Sequence, residues 1–195
     1  GPAWTPPPRP AERRAVPAAM GVFTPRAHPG GPAAVYLRTL VFVFHHEHVL
    51  LMQRTSGAEA GWWNGLGGKI DRGEDPLEAA QRELQEEAGI APPLTFRGVA
   101  TIVVSASGAH WTLFLFTARV DTPTVRPSPE GPLQWVAPAG LHTLRVFPDV
   151  LLLLPPLRAG RLVLAKFVYA TDDPAAFDPT ASRVTVVAGC RAGAE

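Results

Sequence analysis

The chain has 195 residues, 18 Lys+Arg against 17 Asp+Glu, a formal net charge of +1 and a single cysteine. That length holds one domain with a tail and a sizeable core, while the balanced charge excludes the basic footprint of a protein built to bind a nucleic-acid polymer or a membrane surface. Cys190 alone cannot close an internal disulfide, Val150 to Leu154 is far too short to span a bilayer, and Thr39 to Phe44 is stopped by His45, His46 and Glu47. With no secretory h-region at the start, a cytoplasmic protein is expected.

Residues 1–34 are rich in Pro, Ala and Arg, include Pro6-Pro7-Pro8 and Pro29-Gly30-Gly31-Pro32, and lack an apolar period. They read as an irregular, solvated arm ahead of a folded domain over 35–195. From Tyr36 a hairpin is predicted: Leu40 to Phe44, a polar turn at His45-His46-Glu47, then Val49 to Met52. The His45, His46 and His48 spacing fits no standard zinc site and reads as a solvated turn. Arg54 ends the second strand, where its guanidinium either reaches a phosphate or salt-bridges a neighbour. Gly57 to Gly68 reads as a loop ending in Trp63-Asn64-Gly65-Leu66-Gly67-Gly68-Lys69. Its glycines let backbone approach a ligand closely, with the Gly67 carbonyl a candidate metal ligand and Lys69 either a phosphate contact or a brace for nearby acids.

A helix follows, ending at Gly89, with carboxylates at Glu83, Glu86 and Glu87. At 3.6 residues per turn these three converge, and Leu77, Ala80 and Leu84 form an adjacent stripe for burial. Like charges at this spacing repel by roughly 0.2–0.5 kcal/mol for each i,i+4 pair, so the cluster points to a cation. Oxygen-only ligands suit a hard ion such as Mg²⁺ or Mn²⁺ with positions left open for phosphate oxygens.

Beyond the helix, Leu94 to Ala106 and His110 to Val120 are strand candidates, and Thr122 to Pro132 is a proline-rich connection. A short strand at Leu133 to Val136, a short helix near Ala139 to Leu144, and a Leu-rich helix from Asp149 to Leu157 come next. Pro155-Pro156 is expected to limit that last helix. Leu162 to Tyr169 and Arg183 to Ala188 complete the strands. The pattern predicts an α/β fold, a mixed sheet flanked by helices.

Such a site suits hydrolysis of a pyrophosphate link, which needs positive charge against phosphoryl oxygens and an activated water. The general base is then another carboxylate or a metal-bound hydroxide.

Residues 68–90 resemble the Nudix box, G-x5-E-x7-R-E-U-x-E-E-x-G-U with U aliphatic. Gly68, Glu74, Arg82, Glu83, Leu84, Glu86, Glu87, Gly89 and Ile90 fill it without a gap. The resemblance implies the α/β/α Nudix fold, a divalent-metal hydrolase, and Glu83, Glu86 and Glu87 as metal ligands, with Glu74 and Arg82 bracing loop against helix. It also implies a fourth acid ahead of a Trp, and Glu130, five residues before Trp135, is the candidate base or auxiliary ligand; otherwise it is a solvated loop charge.

The flanks resemble MutT-type enzymes, in particular the human-type 8-oxo-dGTP diphosphatases. Trp63-Asn64-Gly65-Leu66-Gly67-Gly68-Lys69 matches their version of the glycine loop, and Phe147-Pro148-Asp149 stands where they have Trp-Pro-Asp. That likeness implies Asn64 and Asp149 on a purine edge and Phe147 stacked on its face. The structural alternatives are a turn for Asn64, core for Phe147 and a helix N-cap for Asp149. Two departures stand out: Phe147 replaces Trp, and Val150 replaces a second Asp. Three functions follow, in order: a diphosphatase for modified purine nucleoside triphosphates, acting as monomer or homodimer; a pyrophosphatase for nucleotide conjugates such as ADP-ribose, coenzyme A or dinucleoside polyphosphates; and a Nudix-fold binding module without turnover.

Overall fold

The apolar run after Tyr36 becomes β1 (Val35–His45), which turns at His46-Glu47 into β2 (His48–Gln53). Residues on both parities of β1 are buried: Leu40, Phe42 and Phe44 enter one core, Val41 and Val43 another. A strand covered on two faces has no need of polar alternation, which explains the unbroken hydrophobic stretch. This description comes from a computed structural model and covers residues 35–187; the proline-rich arm and Cys190 lie outside the described residues.

β3 (Trp63–Asn64) and β6 (Leu133–Val136) pair antiparallel with β2. On its other side β1 runs parallel to β5 (His110–Arg119), which is antiparallel to β4 (Thr95–Val104). β7 (Leu162–Tyr169) lies parallel to β4, and β8 (Phe177–Val187) forms the far edge, starting well before the expected Arg183. The order is β3-β2-β1-β5-β4-β7-β8, with β6 also on β2.

Helix α1 (Pro76–Ala88) starts at a capping box: the Asp75 carboxylate accepts from Leu77 N (2.7 Å) and Glu78 N (2.9 Å), and Glu78 accepts from Asp75 N (2.9 Å). It ends at Gly89, whose φ of 69° is the left-handed C-cap that glycine tolerates. Its Ala80, Leu84 and Ala88 cover Val41, Val43, Leu50 and Leu66. Leu77, expected in this stripe, is 41 % exposed. It sits in the first turn, where Asp75 and Glu78 are exposed as well, and Glu83 and Glu87 take the buried side instead.

Helix α2 (Pro148–Arg158) packs Val150, Leu153, Leu154 and Leu157 on the opposite sheet face, against Phe42, Phe44, Val163 and Phe167. Pro155 and Pro156 lie inside it rather than ending it. The carbonyls they deprive of donors belong to Leu151 and Leu152, both exposed, where water can serve them. Between β6 and α2 the expected short helix is a 3-10 turn, Pro138–Thr143. One helix on each face of a mixed sheet is the predicted α/β/α arrangement.

Candidate active site

After Asn64 the chain runs back along β1 as an irregular edge: Val41 N donates to Leu66 O (2.7 Å), Thr39 N to Gly68 O (2.8 Å) and Ile70 N to Leu37 O (3.2 Å). Two glycines permit this path. Gly67 has a φ of 121°, and a side chain there would meet the Thr39 carbonyl at 2.5 Å; one at Gly68 would overlap the Glu83 carboxylate. The glycine loop is therefore pressed against α1, and Gly67 N donates to Glu87 Oε2 at 2.8 Å.

Three carboxylates meet there. Glu83, Glu87 and Glu130 each place an oxygen within 4.8 Å of the others. Glu83 and Glu87 come from the buried side of α1, Glu130 from the loop before β6. Burial pushes the Glu87 carboxyl up to about 8, aided by Glu130 and Glu83 and opposed by the Gly67 N–H. Burial also raises Glu83, against the pull of Arg82. Glu87 Oε1 is buried without a hydrogen-bond partner. Three crowded carboxylates, two of them buried and one with an orphaned oxygen, are the donor set that a hard divalent cation satisfies. Glu86 is not in this group: it is exposed, its side chain 3.2 Å from Arg82.

Arg82 ties the assembly together. It grips Glu74 with two hydrogen bonds (2.7 and 3.0 Å), donates to Glu83 Oε1 (3.0 Å) and reaches the Lys69 carbonyl (3.1 Å). The Arg82 bond, with the Asp71 N–H, lowers the Glu74 carboxyl to about 2. Loop and helix are thus braced by the ion pair expected between Glu74 and Arg82. Lys69 is exposed, and among the described residues its ammonium makes no salt bridge, so it does not brace the acids. Arg54 pairs with Glu59 (3.1 Å) and lies 4.0 Å from Glu130.

A cavity of about 190 Å³ opens on the α2 side of β1, bordered by Arg54 and Gly67 at the end nearest the acids. Asn64, Phe147 and Asp149, far apart in sequence, all line it. They are joined through main chain: Trp63 N donates to Arg145 O (2.7 Å) and Phe147 N to Trp63 O (3.0 Å), which sets the start of α2 beside Asn64. Phe147 packs against Trp62 at 5.8 Å between ring centroids, and Arg145 covers Trp62 at 4.7 Å. Phe147, not Asp149, is the residue at the N-cap of α2, and it makes no side-chain cap. The Asn64 carbonyl oxygen accepts from Gly65 N (2.7 Å), so its turn role is met as well.

Asp149 is only 2 % exposed, and burial raises its carboxyl to about 6 even though Tyr169 Oη–H donates to it at 2.8 Å. Burial and the neighbouring Asp149 charge push the Tyr169 hydroxyl upward. Val150 points into the core, fully buried. Sequence reasoning missed Tyr169, and with it Arg38, Thr39, Ile102 and Trp111 on the cavity wall. The parity of β1 held a signal for Arg38, which shares a face with Leu40 and Phe42. No comparable pattern marks Tyr169.

Among the described residues no helix is long and apolar enough to cross a membrane. The NUDIX domain family model matches residues 36–153. An oxidized purine nucleoside triphosphate hydrolase from Danio rerio is 30 % identical over 139 residues, covering 70 % of this chain and 88 % of that protein. The enzyme of the same description from Mus musculus is 47 % identical over 55 residues, covering 28 % of this chain but only 35 % of the relative. The crystal structure of a MutT protein from Bacillus halodurans has a TM-score of 0.64 at 31 % identity, covering 76 % of this chain and 97 % of that one. Box, acids and fold agree with these matches: the chain belongs to the Nudix family of hydrolases.

Proposed function

We propose that this chain hydrolyses purine nucleoside triphosphates, oxidised ones such as 8-oxo-dGTP among them, to the monophosphate and pyrophosphate. The observation that carries this is the single cavity joining Asn64, Phe147 and Asp149 beside the acids of α1. It is consistent with the relatives described as hydrolases of oxidized purine triphosphates. Glu83 and Glu87 would hold Mg²⁺ or Mn²⁺, with Glu86, Glu130 and the Gly67 carbonyl as further ligands. A divalent cation there supplies Lewis-acid charge to the phosphoryl oxygens.

The chain's own residues do the rest. Arg82 fixes Glu83 and the loop, and Glu130 takes the proton from the attacking water. Arg54 and Lys69 face the phosphate chain with positive charge. On the other side of β1 the base stacks on Phe147, a contact worth roughly 1–3 kcal/mol by analogy with other base–aromatic pairs. The Asn64 amide and the Asp149 carboxyl meet its polar edge. Tyr169 Oη–H holds the carboxyl through one Asp149 oxygen. A single carboxyl, steadied by a phenol, takes the place of the paired acids of the human-type enzymes.

The test is product analysis of the wild-type chain with Mg²⁺ on oxidised and normal purine triphosphates, pyrimidine triphosphates, ADP-ribose, coenzyme A and dinucleoside polyphosphates. Monophosphate and pyrophosphate from the purines at the highest kcat/KM is expected. Faster turnover of a conjugate, or binding without turnover of any of them, would overturn the proposal.

A further inference from the structure

One group on the cavity wall is left over by this reading. Arg38 is half-buried and lines the cavity, yet among the described residues its side chain makes no hydrogen bond and no salt bridge within 4 Å. Its Nε is shut off from solvent without a partner, although Asp149 and Asp172 border the same space. A buried donor left unpaired is costly, and an acceptor brought in by a ligand removes that cost.

Its position narrows what that acceptor is. Arg38 shares the parity of Leu40 and Phe42, which face α2; Val41 and Val43 face α1, the helix that carries Glu83 and Glu87. Arg38 therefore addresses the nucleoside half of a ligand and not the phosphates at the acids. Along the sheet it stands in register with Leu113, and through Ala100 with Ala165. Tyr169, which holds Asp149, lies four residues further along β7, so three strand spacings across and four residues along separate its backbone from that of Arg38 by roughly 20 Å. Arg38, Tyr169 and Asp149 line one cavity, so the side chains reaching inward across that separation leave room for a base between Arg38 and Asp149.

Resting on the proposed purine reading, we infer that Arg38 donates to an oxygen on the imidazole edge of the base, opposite the edge met by Asn64 and Asp149. An unmodified purine has only a C–H at C8; the oxidised ring has a carbonyl there. Arg38 is then the residue that distinguishes the oxidised base from the normal one, a recognition role with no part in the chemical step.

The test compares wild type, Arg38→Met and Arg38→Lys for calorimetric binding of 8-oxo-dGMP and dGMP in EDTA, with thermal melts of each protein. In Arg38→Met, 8-oxo-dGMP binding should fall about tenfold or more while dGMP changes less than about twofold. Arg38→Lys should recover part of the difference, because it keeps the charge and loses the planar fork. Equal losses for both nucleotides, or no loss for either, would overturn the assignment. Wild type that cleaves purine triphosphates while Arg38→Met keeps its selectivity would sink this inference and leave the proposed function standing. Wild type that binds no purine nucleotide would remove both.

Discussion

Replacing Asp149 with Asn probes the buried end of the cavity in a way that separates charge from shape. The Asn side chain is isosteric and its oxygen still accepts from Tyr169, but it cannot ionise. In the folded chain the Asp149 carboxyl is raised from its ordinary 3.8 to about 6. Between those values the unfolded chain has released its proton while the folded chain keeps it, so stability falls as pH rises through this window. Above about pH 6 the loss is complete, because ionised Asp149 is then buried. A separation of about two pK units at about 1.4 kcal/mol per unit makes the full penalty about 3 kcal/mol. Asp149→Asn should thus be more stable than wild type by up to about 3 kcal/mol at pH 7.5, with most of that gain gone at pH 4. Urea unfolding at the two pH values measures it, and taking the difference between proteins cancels every other titrating group. The same stability difference at both pH values would refute the argument. Stabilisation should come with lost function: kcat/KM for the preferred purine triphosphate falls roughly 10- to 200-fold, while a poor pyrimidine substrate is little changed.

Three further outcomes follow from the acid cluster. Glu87→Gln should lower kcat by at least about 100-fold with the fold intact, whereas Glu86→Gln, altering an exposed carboxylate held to Arg82, should cost less; steady-state kinetics at saturating Mg²⁺ decide, and near-normal Glu87→Gln activity would reject the site. Glu130→Gln should depress kcat more than it raises KM, and a pure KM effect would return Glu130 to a loop charge that pairs loosely with Arg54. Gly68→Ala should displace the Glu83 carboxylate and raise the Mg²⁺ concentration needed for half-maximal activity about 10-fold or more; an unchanged metal dependence would show that the loop does not position that acid.

Local patterns carried most of the fold. The strand runs, the box helix with its Gly89 stop and the sandwich layers follow from periodicity and capping, which act within a few residues. Leu77 falls outside the buried stripe because it lies in the exposed first turn of the helix, while Glu83 and Glu87 take part of the buried side. Pro155-Pro156 was misread because the cost of a helical proline depends on whether the orphaned carbonyls meet water. At the site, Glu83 and Glu87 were readable from spacing, but the outward turn of Glu86 toward Arg82 and the arrival of Glu130 are tertiary facts. The Asp149–Tyr169 bond spans 20 residues and two elements, and no residue pattern announces it.

The alternation of β1 has one more consequence. Val41 and Val43 face the acid-bearing helix, and even-numbered positions from Arg38 to Phe42 face the cavity wall or the core beneath it. Under the proposed function, reaction machinery and ligand preference thus occupy opposite sides of one peptide strand, one residue out of phase. A point change at 38 or 40 reshapes what is admitted while leaving the support of α1 alone. Inserting one residue would exchange the two sets and disable both. The strand is in this sense a partition, along which new substrates can be tried by single substitutions without rebuilding the hydrolytic apparatus.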